Sequence, residues 1–175
     1  GSAAGAISLD TAGGNIVLRG ATLIATGGSG AGAGAAGSIL FKDAVELEAA
    51  ASTATIGGAA ATPAALIDFQ SSVNGAQALT VAAGESGNID FDAAVGGTTR
   101  TGAITVQSGN VVTFRSSLTA ASFTQNAGAS DGSTHFDRVI DLTGGFSSNS
   151  HTPDFDATGP RTVGGTMTDT TTAGG

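Results

Sequence analysis

The sequence predicts an all-β fold, a parallel β-helix (β-solenoid) of about six coils of 22–23 residues. The first observation is a phenylalanine that recurs at intervals of 28, 22, 23 and 22 residues, as Phe41, Phe69, Phe91, Phe114 and Phe136. The second is an aliphatic residue four positions after each of them, namely Val45, Val73, Val95, Leu118 and Ile140. The third is that no long window has the apolar spacing of a helix. A repeat of this length cannot bury its apolar side alone, so we expect stacked coils to bury the Phe residues as one ladder.

The strands are predicted from short runs rich in Val, Ile, Thr and Phe that lie between Gly, Ser, Asn and Asp. The alternation in Ile89-Asp90-Phe91-Asp92 places apolar side chains on one side of a strand and carboxylates on the other. Leu18, which lies 23 residues before Phe41, is assigned as the earliest counterpart of the Phe residues. In chain order, the candidate strands are Ala6–Leu9, Asn15–Leu18, Ala21–Ala25, Ser38–Phe41, Val45–Leu47, Ser52–Ile56, Leu66–Phe69, Ala78–Val81, Asn88–Phe91, Ala103–Val106, Val111–Phe114, Ser122–Gln125, Thr134–Phe136 and Val139–Leu142.

The chain is predicted to turn directly after each Phe. Strict alternation would point the residue two positions after Phe into the core, yet Asp43 and Arg138 occupy that position in two of the repeats. The stretch from 43 to 51 has the composition of a short helix, but it matches the repeat and is assigned to it. A weaker second motif aligns Leu79-Thr80-Val81, Ile104-Thr105-Val106 and Phe123-Thr124-Gln125.

Three regions are predicted along the chain. Residues 1–13 are an N-terminal partial coil or linker, 14–145 are the solenoid repeats, and 146–175 are an irregular, decaying repeat with a Thr/Gly-rich tail. The run from Gly57 to Pro63 lengthens one repeat and is expected to protrude as a loop. The Gly/Ala-rich run from Gly27 to Gly37 is expected to form a corner or loop.

The composition excludes several classes of function. The net charge is -8 and the six basic residues are scattered, which argues against nucleic-acid binding and against adhesion to an anionic membrane. The chain has no cysteine, so disulfides and thiolate metal sites are excluded. No apolar run approaches the length of a membrane-spanning helix, and no membrane insertion is expected. The chain is expected to be a piece of something longer.

Two outward columns of the predicted sheet hold charged residues. One position after each Phe come Lys42, Gln70, Asp92, Arg115 and Asp137, which predict a surface ladder of opposite charges. One position before Phe69 and Phe91 come Asp68 and Asp90, which would stack about 5 Å apart on adjacent coils. Three interpretations stay open: two solvated carboxylates, a calcium site formed by Asp68, Asp90 and Asp92, or the acid and nucleophile of a glycosidase.

No catalytic residue and no cofactor other than calcium is predicted. His135 and His151 are the only histidines, and the sequence offers too few further ligands for a transition-metal site. Serines are plentiful, and none is singled out as a nucleophile. We therefore predict that the chain is not an enzyme.

The segment Gly87-Asn88-Ile89-Asp90-Phe91-Asp92-Ala93-Ala94-Val95-Gly96-Gly97-Thr98-Thr99, followed by Ala103-Ile104-Thr105-Val106, resembles repeats of filamentous haemagglutinin-like bacterial adhesins and related giant exoproteins. The resemblance covers most of the chain from Gly14 to Leu142. It implies a right-handed β-helix, an extracellular or cell-surface location, and roles in adhesion, biofilm or surface filaments. The expected function is a structural or adhesive module whose partners are further copies stacked end to end or the flanking repeats of a longer chain. The alternative is a carbohydrate-binding or carbohydrate-active β-helix with an acidic, calcium-dependent patch that contacts surface glycans.

Overall fold

A computed structural model describes residues 5–19, 37–48, 66–84, 86–126, 128–149, 152–155 and 160–169. All regular elements in these ranges are strands. The described residues therefore contain no helix that could cross a membrane. The strands are β1 (Ile7–Leu9), β2 (Ile16–Leu18), β3 (Ile39–Phe41), β4 (Val45–Leu47), β5 (Leu66–Phe69), β6 (Val73–Asn74), β7 (Leu79–Ala82), β8 (Asn88–Phe91), β9 (Thr101–Phe114), β10 (Leu118–Gln125), β11 (Gly128–Phe136), β12 (Ile140–Leu142), β13 (Phe146–Ser148), β14 (Thr152–Asp154), β15 (Arg161–Val163) and β16 (Met167–Asp169).

The strands pair in parallel and form three faces of a β-solenoid, so the predicted fold class is confirmed. The first face holds β1, β3, β5, β8, the end of β9, β11 and β14. The second holds β2, β4, β6, the start of β10, β12 and β15, with Val95 bridging β6 to β10. The third holds β7, the start of β9, the end of β10, β13 and β16.

The number of coils is slightly lower than predicted. The solenoid has about four turns, where about six were expected. Turns with all three faces lie within 66–149, β14, β15 and β16 add one further strand to each face, and the described residues before 66 supply partial turns. Parallel pairing is not confined to the predicted solenoid region 14–145. It begins at β1, within the predicted region 1–13, and extends to β16, within the predicted region 146–175.

The predicted ladder of Phe residues forms the axis of the core. The rings of Phe41, Phe69, Phe91 and Phe114 stack with centroids 4.5, 4.8 and 4.6 Å apart, and Phe136 continues the column at 5.1 Å. All five side chains are at most 1 % exposed. The ring spacing follows the strand spacing of about 4.8 Å, because each Phe occupies the same position on successive parallel strands. Backbone pairing and ring stacking therefore fix the same register.

Tight corners separate the faces, and the turn predicted after each Phe is present as a bend at Asp43, Ser71, Ala93, Ser116 and Arg138. A later corner requires glycine at Gly75 and Gly96, where φ is +112° and +73°. A side chain there would also overlap the carbonyl oxygen of Leu47 or Thr119 on a neighbouring coil. These glycines therefore allow the coils to approach at the normal strand spacing.

Several assignments of strands can be compared with the structure. The second motif is confirmed, because Leu79 and Phe123 both pair with Ile104. The assignment of Leu18 as the counterpart of Phe41 is wrong: Leu9 pairs with Phe41, whereas Leu18 pairs with Leu47. The reason is the length of the first coil, in which 32 residues separate Leu9 from Phe41. The candidate strands Ala21–Ala25 and Ser52–Ile56, the Gly57–Pro63 loop, almost all of Gly27–Gly37, His151 and the Thr/Gly tail lie outside the described residues.

Candidate functional site

The outer surface of the first face carries the residues that sequence reasoning singled out. The inward positions hold the Phe column, so the residues that alternate with it face outward. One outward column, in register from coil to coil, is Leu40, Asp68, Asp90, Thr113, His135 and Asp154. Polar side chains in this column become neighbours although 18 or more residues separate them along the chain.

Asp68 and Asp90 are direct neighbours in this column, as the period predicts. Asp68 is only 8 % exposed, so it is not the solvated carboxylate that one interpretation assumed. The side-chain amide of Gln70 donates to its Oδ2 at 2.9 Å, while Oδ1 is buried and has no hydrogen-bond partner among the described residues. Burial raises the pKa of Asp68, and the nearby carboxylates Asp92 and Asp90 raise it further. The ionised form of this carboxylate is therefore disfavoured in the folded protein.

Arg115 pairs with both neighbouring carboxylates. Its Nε donates to Asp92 Oδ1 at 2.8 Å, and its Nη2 lies 3.4 Å from Asp90 Oδ2. The hydrogen bond that Arg115 donates to Asp92 is the main cause that raises the pKa of Arg115. The predicted ladder of opposite charges is present at this pair and also at Lys42 and Asp10, whose charged atoms are 3.4 Å apart. About half of the Arg115 side chain is exposed, so these ion pairs contribute little to stability.

The guanidinium of Arg115 occupies the position beside Asp90 and Asp92 where a metal ion would be expected. Within the described ranges, no three His, Cys, Asp or Glu residues are grouped so that they could hold a metal ion. Calcium binding by Asp68, Asp90 and Asp92 stays a prediction.

At the other end of the same column, Ser133, His135 and Asp154 form a hydrogen-bonded chain that the sequence did not reveal. Ser133 Oγ lies 2.8 Å from His135 Nε2, and His135 Nδ1 lies 3.2 Å from Asp154 Oδ2. Ser133 and His135 are two residues apart on β11 and therefore share its outer side. Asp154 is opposite His135 on β14, one coil further along. All three side chains are partly exposed.

A sequence motif lies next to this arrangement but does not point to Ser133, because the serine within it is Ser130. The run Gly128-Ala129-Ser130-Asp131-Gly132 has the Gly-x-Ser-x-Gly spacing found around nucleophilic serines. Its backbone belongs to strand β11 rather than to a strand-to-helix turn, and Ser133 directly follows it. The partner Asp154 could not be assigned from sequence, because it lies in the region that was expected to lose the repeat.

An open apolar pocket of about 490 Å³ lies at the C-terminal end of the core. Phe155 stacks on Phe136 with ring centroids 5.4 Å apart and forms the last described ring of the column. Met167 is 57 % exposed. The pocket is lined by Ile140, Phe146, Phe155, Arg161, Val163, Gly165 and Met167. The apolar core is thus open to solvent at this end of the described structure.

No protein-family model, curated protein or solved structure matches the chain. The fold and the arrangement of side chains are therefore the basis for any functional assignment.

Proposed function

We propose that this chain is a structural and adhesive module of a bacterial fibrous protein that works outside the cell or at its surface. The solenoid would act as a stiff spacer, extended by stacking of further coils. These coils would come from flanking repeats of a longer chain or from other copies of this one. The observation that carries the proposal is a core column that runs from Leu9 to Phe155, with a strand edge at each end that no described strand covers.

The strand edges support extension in both directions. Among the described residues, β1 and β2 pair only with β3 and β4, while β14, β15 and β16 pair only with the coil before them. Their outward N–H and C=O groups form a template for further parallel strands, except at Pro153 of β14, which has no N–H to donate. Continuing the observed register would place Leu9 of one copy on Phe155 of the next, and Leu18 on Val163. Apolar residues would then meet apolar residues across a head-to-tail contact that does not close on itself.

Ser8 offers a direct test of stacking between copies. Ile7 donates its N–H to the carbonyl of Ser38, just before β3, and the carbonyl of Leu9 accepts from the N–H of Lys42, just after β3. The alternation of a strand therefore directs the N–H of Ser8 towards the open edge. Ser8→Pro removes this donor without removing a β1–β3 hydrogen bond. We expect wild-type protein to form larger species as its concentration rises in sedimentation velocity and electron microscopy. Ser8→Pro should not, whereas the matched control Ser8→Ala should behave as wild type. Absence of growth in the wild type would refute stacking between copies.

The second candidate function is carbohydrate binding at the acidic end of the outer column. It is favoured by the partly exposed carboxylates of Asp90 and Asp92 and by Gln70, which lies beside the buried Asp68, because carboxylate groups can accept hydrogen bonds from sugar hydroxyls and amide groups can donate and accept them. The test is a glycan array with and without calcium. Asp90→Ala should abolish a signal that the control Asp137→Ala retains, and an array without any signal would refute this candidate.

A further inference from the structure

We propose that Ser133 is an activated nucleophile, with His135 as its general base and Asp154 as the residue that positions His135. The basis is the pair of hydrogen bonds that link Ser133 Oγ to His135 Nε2 at 2.8 Å and His135 Nδ1 to Asp154 Oδ2 at 3.2 Å. A nucleophile in contact with a base, which in turn contacts an orienting carboxylate, is the arrangement that activates a hydroxyl group.

The chemistry of the three groups fixes the direction of each hydrogen bond. An ionised carboxylate can only accept, so the hydrogen between Asp154 and His135 is on Nδ1. In the neutral imidazole, Nε2 then carries the lone pair and accepts the hydrogen of the Ser133 hydroxyl group. This is the tautomer in which His135 can remove the proton from Ser133. Without Asp154, the opposite tautomer would place a hydrogen on Nε2 and abolish the base.

The solenoid holds this geometry in place. Ser133 and His135 are on one strand, and the parallel ladder sets Asp154 beside His135 through the pairs Ser133–Thr152 and His135–Asp154. On the other side, β9 pairs with the same strand and places Thr113 next to His135. Paired strands on both sides of β11 restrict the motion of Ser133 and His135, which favours a preorganised arrangement, while β14, which carries Asp154, is paired with β11 alone among the described strands.

The surroundings define the class of substrate. His135 and Asp154 are 36 % and 46 % exposed, so an electrophile can approach from solvent. The backbone N–H groups of β9 and β11 beside the site take part in parallel ladders, and Pro153 of β14 has no N–H, so few N–H groups are available to stabilise an oxyanion. We therefore assign activated acyl and phosphonyl donors, which have good leaving groups, as the substrates, rather than amides.

The reaction with a fluorophosphonate serves as a probe of this reactivity. Ser133 Oγ forms a bond to phosphorus, the phosphorus–fluorine bond breaks, fluoride leaves, and the hydroxyl proton passes to His135 Nε2. With an activated ester, the same attack forms an acyl-serine and releases the alcohol, which takes the proton from His135. Water then hydrolyses the acyl-serine to give the carboxylic acid and regenerate the hydroxyl group.

The experiment compares serines within one folded molecule. Wild-type protein is treated with a fluorophosphonate, and mass spectrometry follows labelling at Ser133 and at Ser147. Ser147 is a matched internal control, because it is also partly exposed on a strand but hydrogen-bonds to Asn149 rather than to a histidine. General-base assistance predicts that Ser133 reacts at least about tenfold faster than Ser147. Equal rates, or no label at Ser133 while circular dichroism shows the native fold, would overturn the proposal.

Two substitutions separate chemistry from structure. His135→Gln should lower the rate at Ser133 to that of Ser147, since the amide cannot act as a base. Asp154→Asn should lower the rate at Ser133 by at least about tenfold through loss of the required tautomer. General loosening of the last coils would raise or lower labelling of both serines together. If neither substitution changes the ratio of the labelling rate at Ser133 to that at Ser147, the proposal is also overturned.

Discussion

Replacing Phe91 by alanine should strongly destabilise the solenoid. The ring is fully buried, with its centroid 4.8 Å from that of Phe69 and 4.6 Å from that of Phe114. Removing a buried Phe side chain costs about 3–5 kcal/mol. Part of that cost is the loss of two stacked pairs, each of about 0.5–1.5 kcal/mol beyond the burial of area. We expect the free energy of unfolding to fall by about 3–5 kcal/mol.

The end of the column provides the matched comparison. Phe155 is only partly buried, stacks on Phe136 at 5.4 Å, and has the guanidinium of Arg161 over its other side at 4.9 Å from the centroid. Phe155→Ala should cost about 1–2 kcal/mol, because less apolar area is buried there. The loss of unfolding free energy for Phe91→Leu should lie between the losses for these two alanine variants, because leucine keeps much of the apolar burial but removes the ring stacking.

Urea unfolding followed by far-ultraviolet circular dichroism measures these differences, because the chain has no Trp or Tyr to serve as a fluorescent probe. Equal losses for Phe91→Ala and Phe155→Ala would refute the view that a continuous column stabilises the coils. A loss below about 1 kcal/mol for Phe91→Ala would refute it as well.

Three further predictions concern the corners and the outer face. Gly96→Ala should lower the free energy of unfolding by more than about 2 kcal/mol, because Gly96 has a positive φ and a methyl group there would overlap Thr119 on the next coil. The control Gly97→Ala should cost much less. Equal urea midpoints for the two variants would contradict this prediction. Asp68→Asn should stabilise the protein at neutral pH, because burial raises the pKa of Asp68. A raised pKa lowers stability as the pH rises through it, so the gain should vanish below about pH 4, where the carboxyl is protonated in both states; a gain independent of pH in thermal unfolding would contradict it. Arg115→Gln should cost less than about 1 kcal/mol and lose most of that effect at high salt, since the ion pairs with Asp90 and Asp92 are exposed; a cost unchanged by salt would rule out charge as the cause.

The fold could be predicted from sequence because its core repeats one residue type at one position. Stacked Phe residues make the period visible even though the segments between them vary. The start of the solenoid was misassigned because Leu9 and Leu18 both follow short apolar runs, and the interval alone favoured Leu18. The backbone pairs show that the first coil is longer than the later ones. A period therefore locates regular coils and fails where one coil changes its length.

The site was less predictable because its residues are neighbours across coils rather than along the chain. The pairing of Asp68 with Asp90 followed directly from the Phe register. Burial of Asp68 did not, since it depends on how the Gln70 side chain covers it. Predicting Asp154 as the partner of His135 would have required the knowledge that the coil after His135 is only 19 residues long and still in register. Outward residues vary from coil to coil, so no period identifies them.

This difference between the inner and outer columns bears on function. The inward position keeps Phe through five successive coils, whereas the outward position beside it changes from Asp68 and Asp90 to Thr113, His135 and Asp154. The stacked rings of the inner column fix the register of the coils without restricting the residues on the outer face. His135 lies two coils from Asp90, a distance of about 10 Å at the strand spacing. An extended ligand that bound the acidic end could therefore reach Ser133 along a single column. For this reason, the fluorophosphonate and glycan experiments should use the same intact chain. Bound glycan that slows labelling of Ser133 but not of Ser147 would show that the acidic end and Ser133 belong to one binding site.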